Sequence, residues 1–442
     1  MFGTSGIRGP VGDIVTSDLA LRLGRGLGST NAETVVVGRD TRATGEFLED
    51  ALAAGLRESG VDVIRVGVAS TPTIARNVGW LGADAGVSIT ASHNPPADNG
   101  LKFWGADGRA FDTERRRSLI QGVNACAFSL VPWDEAGSQR TDTEAEERHV
   151  EALLDAVGVP NPEDLSVVVD VGHGAGGVTV EALTRLGCHV TTLNAQEDGR
   201  FPGRESEPTA ETCTALQATV AGTDADLGIA HDGDADRMMA VAEDGTFLSG
   251  DALLALFAGE AVSPGKRIAV PLNTSLLVDE VVARHGGSVE RTRVGDVYIA
   301  ETATDPDVVF GGEPSGAWIW PDETLCPDGP LAAVKLVELV ATRGRLSELT
   351  ADFGGYTLRR EKVETDHKES TMERVQARVT AEFDDVQTMD GVRVAVDDGW
   401  FLIRASGTQP LIRITAEAPT ADRADELLAR AGDILTGEAL EA

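Results

Sequence analysis

The chain has 442 residues, 42% of them hydrophobic and spread along its length, which calls for several cores rather than one. Its formal net charge of −34 argues against nucleic acid or an anionic membrane as partner, and no apolar run approaches the ~18 residues that span a bilayer. Basic residues are 33 Arg against five Lys. This acidic, lysine-poor composition points to a protein kept soluble in concentrated salt, where the Debye length falls to ~3 Å at about 1 M. A halophilic archaeon is the expected source, with an ordinary acidic enzyme as the alternative. The first residues lack the basic and apolar regions of a signal peptide. Cys126, Cys188, Cys213 and Cys326 form no CxxC pair and read as buried thiols in a reducing compartment, so a cytoplasmic location is expected.

In chain order, a strand–helix–strand pattern occurs three times. Thr34–Gly38 is a β-branched run, Arg39-Asp40-Thr41 starts a loop, a helical pattern runs through Phe47, Leu48, Ala51, Leu52 and Leu56, and Val61–Gly67 is a second strand. The order recurs in Val167–Val171, Val178–Leu186 and Cys188–Leu193, and again in Ile268–Leu272, Leu276–His285 and Ser288–Val294. Such βαβ units imply mostly parallel sheets. Each copy adds one strand that runs into an unusual loop: Ala85–Ile89 into Thr90-Ala-Ser-His-Asn-Pro95, Leu227–Ala230 into His231-Asp-Gly-Asp-Ala-Asp-Arg237, and Val308–Phe310 into Gly311-Gly-Glu-Pro-Ser-Gly316. Ligands of open α/β sheets bind beyond the carboxyl ends of strands. The C-terminal part differs, with a helix Lys368–Phe383, strands Val392–Val396, Trp400–Arg404 and Leu411–Ala416, and a closing helix Ala421–Ile434. Expected boundaries are 1–145, 146–243 and 244–355 for three similar α/β domains with mostly parallel mixed sheets, and 356–442 for an α+β domain. Three such loops at equivalent strand ends can face one cleft.

The loops differ in what they offer. Ser92 sits on a strand-to-loop turn stiffened by Pro95 and Pro96, suited to a rigid, exposed phosphoryl carrier; an ordinary capped turn reads equally well from the hexapeptide alone. Lys102 could return over this loop with a charge or a proton, or simply lie on the surface. Asp232, Asp234 and Asp236, at i, i+2 and i+4, can surround a hard cation with oxygen. An EF-hand would start in the same way, but its required glycine is Arg237 here; a solvated acidic turn is the bland alternative. Glu313 and Ser315 could grip sugar hydroxyls, or mark a plain turn. Arg404-Ala-Ser-Gly-Thr-Gln-Pro410 with Arg413 looks like a phosphate cradle, with an anion nest around Gly407 and fork-shaped arginine donors. Gly172–Gly177 is a tight βα connection without the spacing of a dinucleotide fingerprint, and His173 reads as a turn residue.

Taken in order, Gly3-Thr-Ser-Gly-Ile-Arg-Gly9 and the motifs at Ser92, Asp232, Glu313 and Arg404 strongly resemble the α-D-phosphohexomutase superfamily, which includes phosphoglucomutases, phosphomannomutases and phosphoglucosamine mutases. The resemblance runs from Phe2 to Arg413 and implies four domains arranged around a central cleft. It implies a phosphoserine at Ser92, which together with Asp232, Asp234 and Asp236 holds one Mg²⁺ per chain. It places Arg8, His93, Lys102 and Arg237 at the reacting centre, Lys102 as a candidate acid/base. Glu313 and Ser315 would bind the sugar, and Arg404, Ser406, Gly407, Thr408 and Arg413 the non-reacting phosphate. A hexose phosphate substrate, a glucose- or glucosamine-type bisphosphate primer, and a monomer or homodimer are expected. The opening motif and Thr292–Tyr298 look most like phosphoglucosamine mutases and related archaeal enzymes, with dual glucose/mannose phosphate activity as runner-up. Ala317 and Gln409 depart from the common histidine and glutamate. A non-catalytic sugar-phosphate binder and a metal-dependent phosphatase are the rival readings.

Overall fold

The computed structural model describes residues 6–158, 164–365, 367–406 and 411–437. It divides into two compact units, one holding the described residues up to Leu253 together with Ser315–Thr350, the other Leu254–Pro314 together with the described residues from Ala351 onward.

The first unit contains two mixed sheets. The β-branched run Thr34–Arg39 pairs in parallel with Asp62–Val68 and Ala85–Ile89, and Asp98–Gly105 and Ile7–Pro10 extend that sheet antiparallel to their neighbours. The second sheet runs Met238–Ala242, Leu227–His231, Ser166–Asp170, His189–Leu193, with its first pair antiparallel. The apolar strands are buried as their composition demands: Val35, Val37, Val87 and Ile89 share one core with Leu23, Leu48, Leu52 and Leu56 from the helices Ser17–Gly28 and Gly45–Glu58. These two helices meet at bare backbone. A Cβ on Gly24 would stand 2.3 Å from the Leu52 carbonyl oxygen, and one on Gly55 would stand 2.2 Å from that of Leu21. Helix Gly329–Arg343 also belongs to this unit; its start packs on the loop after Leu227–His231, where a Gly329 Cβ would lie 2.5 Å from the Arg237 carbonyl oxygen.

In the second unit, Arg267–Pro271 pairs in parallel with Ser288–Thr292 and Val308–Gly312. A five-stranded antiparallel sheet follows, ordered Thr357–Glu364, Leu411–Ala418, Gly399–Ala405, Val392–Val396, Val386–Gln387. Helices Lys368–Glu382 and Ala421–Thr436 bury Val375, Val379, Leu427 and Ile434 against Val392, Phe401, Ile412 and Ile414.

The sequence expectation of three α/β repeats and an α+β C-terminal part describes this architecture. Three readings need correction. Ser92 is buried rather than exposed, at 1%, because its hydroxyl is turned onto Asp232. Cys126 is exposed rather than buried, because it follows the helix Thr113–Asn124 on a surface turn with φ of 51°. Lys102 is not a surface lysine: it lies mid-strand, opposite Ser88, with 1% exposure.

Candidate active site

The strand Ala85–Ile89 delivers Ser92 into a turn in which Ser92 itself adopts φ of 53°. That left-handed conformation costs a non-glycine residue about 1–2 kcal/mol, so the surroundings must impose it. They do so from several sides. The Ser92 amide donates to Thr90 Oγ1 (2.8 Å), Thr90 Oγ1 donates to Asp40 Oδ2 (2.7 Å), and Ser206 Oγ donates to the Ser92 carbonyl (2.9 Å). The Ser92 hydroxyl donates to Asp232 Oδ2 at 2.6 Å and lies 3.3 Å from His93 Nδ1. One loop of each of the first two repeats is thereby joined.

Asp232, Asp234 and Asp236 are buried, with one carboxylate oxygen of each within 4.8 Å of the others. Ala235 between them has φ of 54°, so this loop too is bent against its intrinsic preference. Burial raises the Asp232 carboxyl well above the usual range, and Asp234 and Asp236 push it the same way. Burial likewise raises Asp236. For Asp234, burial is outweighed by Lys102, whose Nζ donates to Asp234 Oδ2 (2.6 Å) and Asp236 Oδ2 (2.5 Å), and the carboxyl titrates low. The same carboxylates lift the Lys102 ammonium above its ordinary value in spite of burial.

Arg8 lies on the neighbouring strand, paired with Gly100, and Arg237 closes the aspartate loop with its amide on Asp232 Oδ1 (3.2 Å). Arg237 above all, then burial, Arg8 and Lys102, hold His93 neutral with a pKa pushed down to about 2.

Asp234 Oδ1 and Asp236 Oδ1 are buried with no hydrogen-bond partner among the described residues. Orphaned anionic oxygens at the centre of a three-carboxylate cluster are what a hard divalent cation satisfies, and an all-oxygen donor set suits Mg²⁺. Glu243, which falls where an EF-hand would have its last ligand, instead accepts from the Ser347 hydroxyl, consistent with rejecting that motif.

In this same unit Ser315 begins a turn whose Gly316 carbonyl accepts from the Met238 amide (3.0 Å), and Ala317 bridges to Arg237. In the second unit, Glu313 Oε1 accepts from the Gly295 amide (2.8 Å), the Val294 amide donates to Asp390 Oδ2 (3.0 Å), and Asp390 pairs with Arg404 at 3.5 Å. Arg404 faces Arg413 across neighbouring strands, and Lys368 Nζ donates to the Ser406 carbonyl. Gly407 and Thr408 lie outside the described residues.

Sequence reasoning missed several residues that shape the site. Thr71 opens the helix Thr71–Trp80, whose positive end meets the aspartate loop; its amide donates to the Asp234 carbonyl (2.8 Å) and its hydroxyl to Asp234 Oδ2 (2.6 Å). Ser206 bridges the two loops, accepting from the Gly233 amide at 3.0 Å as it donates to Ser92. Asp40, Arg42, Asp170, Arg204 and Asp390 were passed over as well. Only Asp40 and Asp170 carried a signal: each stands at the end of the first strand of its repeat.

A serine in bonding contact with a buried tricarboxylate cluster, on repeated α/β units with an α+β C-terminal part, defines a sugar phosphate mutase scaffold. Models of the phosphoglucomutase/phosphomannomutase family match in chain order: alpha/beta/alpha domain I over residues 1–129, domain II over 147–245, domain III over 249–356, and the C-terminal domain over 362–433. The chain belongs to this family, within the α-D-phosphohexomutase superfamily. Among curated relatives, a protein of Methanopyrus kandleri named probable phosphoglucosamine mutase is 49% identical over 434 residues, 96% of this chain and 95% of its own. One of the same name from Methanothermobacter thermautotrophicus is 46% identical, covering 96% of this chain and 95% of its own. A solved phosphoglucomutase/phosphomannomutase family protein from Burkholderia thailandensis superposes with a TM-score of 0.88 at 28% identity, covering 99% of both chains.

Proposed function

We propose that the chain interconverts hexose 6-phosphate and hexose 1-phosphate through phospho-Ser92, with glucosamine phosphate as the preferred sugar. The observation that carries the chemistry is the 2.6 Å contact between Ser92 Oγ and the buried aspartate cluster. Support for the sugar comes from relatives of the same name at up to 49% identity along nearly the whole chain.

In the forward half-reaction, the bond between phosphorus and Ser92 Oγ breaks as a new bond forms to a hydroxyl of the hexose monophosphate. The hydroxyl loses its proton, and Ser92 Oγ regains one. In the return half, Ser92 Oγ attacks the other phosphate of the sugar bisphosphate, and the bond from that phosphorus to the sugar oxygen breaks. The sugar oxygen takes up a proton, and the Oγ proton leaves toward Asp232, to which it already points. Neutral His93 offers a second acceptor at 3.3 Å, and Lys102, held charged, is suited to give a proton rather than take one. Arg8, Lys102 and Arg237 stabilise charge spread over the phosphoryl oxygens. Asp232, Asp234 and Asp236, together with phospho-Ser92, would hold one Mg²⁺ per chain. When bound, the ion supplies charge stabilisation to the transferring group. Glu313 and Ser315 bind sugar hydroxyls, and Arg404, Ser406, Gly407, Thr408 and Arg413 bind the phosphate that is not reacting. A glucose- or glucosamine-type bisphosphate primes the serine. Domain limits of 145, 243 and 355, a cytoplasmic location, a monomer or homodimer, and solubility in high salt complete the reading.

The test is a panel of glucosamine, N-acetylglucosamine, glucose and mannose phosphates, assayed with Mg²⁺ and a bisphosphate primer in high salt. Glucosamine phosphate is expected to give the highest kcat/KM, and Ser92→Ala to remove turnover by more than roughly 10³-fold. Faster turnover of glucose or mannose phosphate would reassign the sugar. Steady release of inorganic phosphate, or near-normal mutase activity in Ser92→Ala, would overturn the mechanism.

A further inference from the structure

Two buried arginines occupy matching places in the first two repeats. Arg42 spends every N–H of its guanidinium on the serine loop and its root: Nε on Asp40 Oδ2 (3.0 Å), Nη1 on the carbonyls of Pro95 (2.7 Å) and Asp98 (2.9 Å), and Nη2 on those of Ser92 (2.8 Å) and Asn94 (2.7 Å). Arg204 does the same beneath the aspartate loop: Nε on Asp170 Oδ2 (2.8 Å), Nη2 on the carbonyls of His231 (2.5 Å) and Asp170 (3.4 Å), and Nη1 on those of Glu205 (3.0 Å) and Ser206 (3.3 Å).

The carboxylates correspond as well. Asp40 follows the first strand of its repeat and Asp170 ends the first strand of the next. Each offers Oδ1 to the amide two residues on, Arg42 in one case and Gly172 in the other, both at 2.9 Å. Gly172 must be bare and left-handed, with φ of 63°, because a Cβ there would stand 2.6 Å from Arg204 Nη2. The guanidinium thus arrives from two residues further on in one repeat and from 34 residues further on in the other.

Arg42, with four of its five donors on backbone carbonyls from Ser92 to Asp98, fixes the path of the serine loop. Arg204, through the carbonyls of His231, Asp170, Glu205 and Ser206, ties the root of the aspartate loop to the first strand of its repeat and to the Ser206 segment. Each loop so held contains a non-glycine residue at positive φ, Ser92 or Ala235. We propose that Arg42 and Arg204 are paired positioning residues for phosphoryl transfer, Arg42 fixing the serine loop and Arg204 the aspartate loop. This rests on the functional reading above and adds a division of labour to it: Arg42 sets the reactivity of Ser92, whereas Arg204 sets the geometry of the cation ligands.

The test uses the full chain with Arg42→Lys and Arg204→Lys. A lysine keeps the charge but reaches at most three acceptors from a single point, and so cannot hold the loop. For Arg42→Lys, kcat is expected to fall ~100-fold, as for a misplacement of about 1 Å. The rate of Ser92 phosphorylation by glucose 1,6-bisphosphate, followed by intact mass, should fall in step, with the KM for sugar phosphate and the half-saturating Mg²⁺ concentration unchanged. For Arg204→Lys, half-saturating Mg²⁺ should rise ~10-fold or more, with saturating Mg²⁺ restoring most of kcat. Should either lysine chain not fold, the isosteric Asp40→Asn and Asp170→Asn carry the same paired readouts. The proposal fails if the variants match wild type within about threefold, or if both lose phosphorylation and Mg²⁺ response together in proportion to lost folded protein. A wild type with no mutase activity sinks the functional reading and the positioning role with it. An active wild type with an equally active Arg42→Lys sinks the positioning role alone.

Discussion

The serine loop after Ile89 and the arginines Arg404 and Arg413 are both read as phosphate-handling groups, yet their surroundings are built in opposite ways. Ser92, Asp232, Asp234 and Lys102 are all at most 1% exposed and joined by contacts of about 2.6 Å. Arg404 is partly open and pairs at 3.5 Å with Asp390, whose side chain is 25% exposed. The difference follows from the proposed tasks. Bond making and breaking tolerates little positional error, so the reacting groups are pre-set by burial and by bonds already made. A site that must accept first one phosphate of the substrate and then the other gains from long, open arginine side chains.

Thr71→Val tests the rigid side of this contrast most severely. It removes the hydroxyl on Asp234 but leaves the amide contact, so the fold should persist. The Mg²⁺ requirement should rise roughly 10- to 100-fold in an activity titration; an unchanged titration would mean that Asp234 needs no outside support. Arg404→Gln probes the open side. Here the expected result is a KM raised about tenfold with kcat nearly intact, since a contact held throughout the reaction is lost. A collapse of kcat instead would show that Arg404 acts on the reacting centre as directly as the serine loop does.

The smallest effect concerns stability and pH. His149 is fully buried beneath the aspartate loop's supporting helices, bonded to Thr73 Oγ1 (2.7 Å) and Asp328 Oδ2 (3.1 Å). Burial lowers its pKa below 6.5, although Asp328 opposes this. The folded chain therefore resists a proton that the unfolded chain takes up, and stability should start to fall as pH drops below about 6.5. Asp328, also held low, adds a further loss below about 3.8. Denaturant unfolding across pH 5–8 should show the first decline, and His149→Gln should flatten it.

Much of the fold was legible because apolar strands and capped helices are local patterns. Ala85–Ile89, Val392–Val396 and the start of the helix at Lys368 fall where the sequence put them, and most other read elements end within a residue or two. Helix Gly329–Arg343 was not read: Leu331, Val334, Leu336 and Val337 bury nearly every side, which erases the amphipathic period. Strand Asp98–Gly105 was hidden by Gly100, which is required because a Cβ there would lie 2.3 Å from the Ile7 carbonyl oxygen. In the candidate site, side chains with distinctive chemistry announced themselves, as the three aspartates did. Lys102 was read as a candidate, but not its burial between Asp234 and Asp236, since these partners lie 132 and 134 residues away. Arg42 and Arg204 were invisible for another reason: their partners are mainly backbone carbonyls, which every residue type supplies.

Gly172 has a meaning for the history of the chain. If the repeats are set side by side by their aspartates, Asp40 falls on Asp170 and Arg42 on Gly172. A comparison by residue identity would score that column as divergence. In space the same column holds a guanidinium in both copies, because Gly172 leaves room for Arg204. Duplicated units can therefore drift apart in sequence while inheriting a charge at a fixed location, and internal symmetry of this kind is found by tracing donors and acceptors rather than letters.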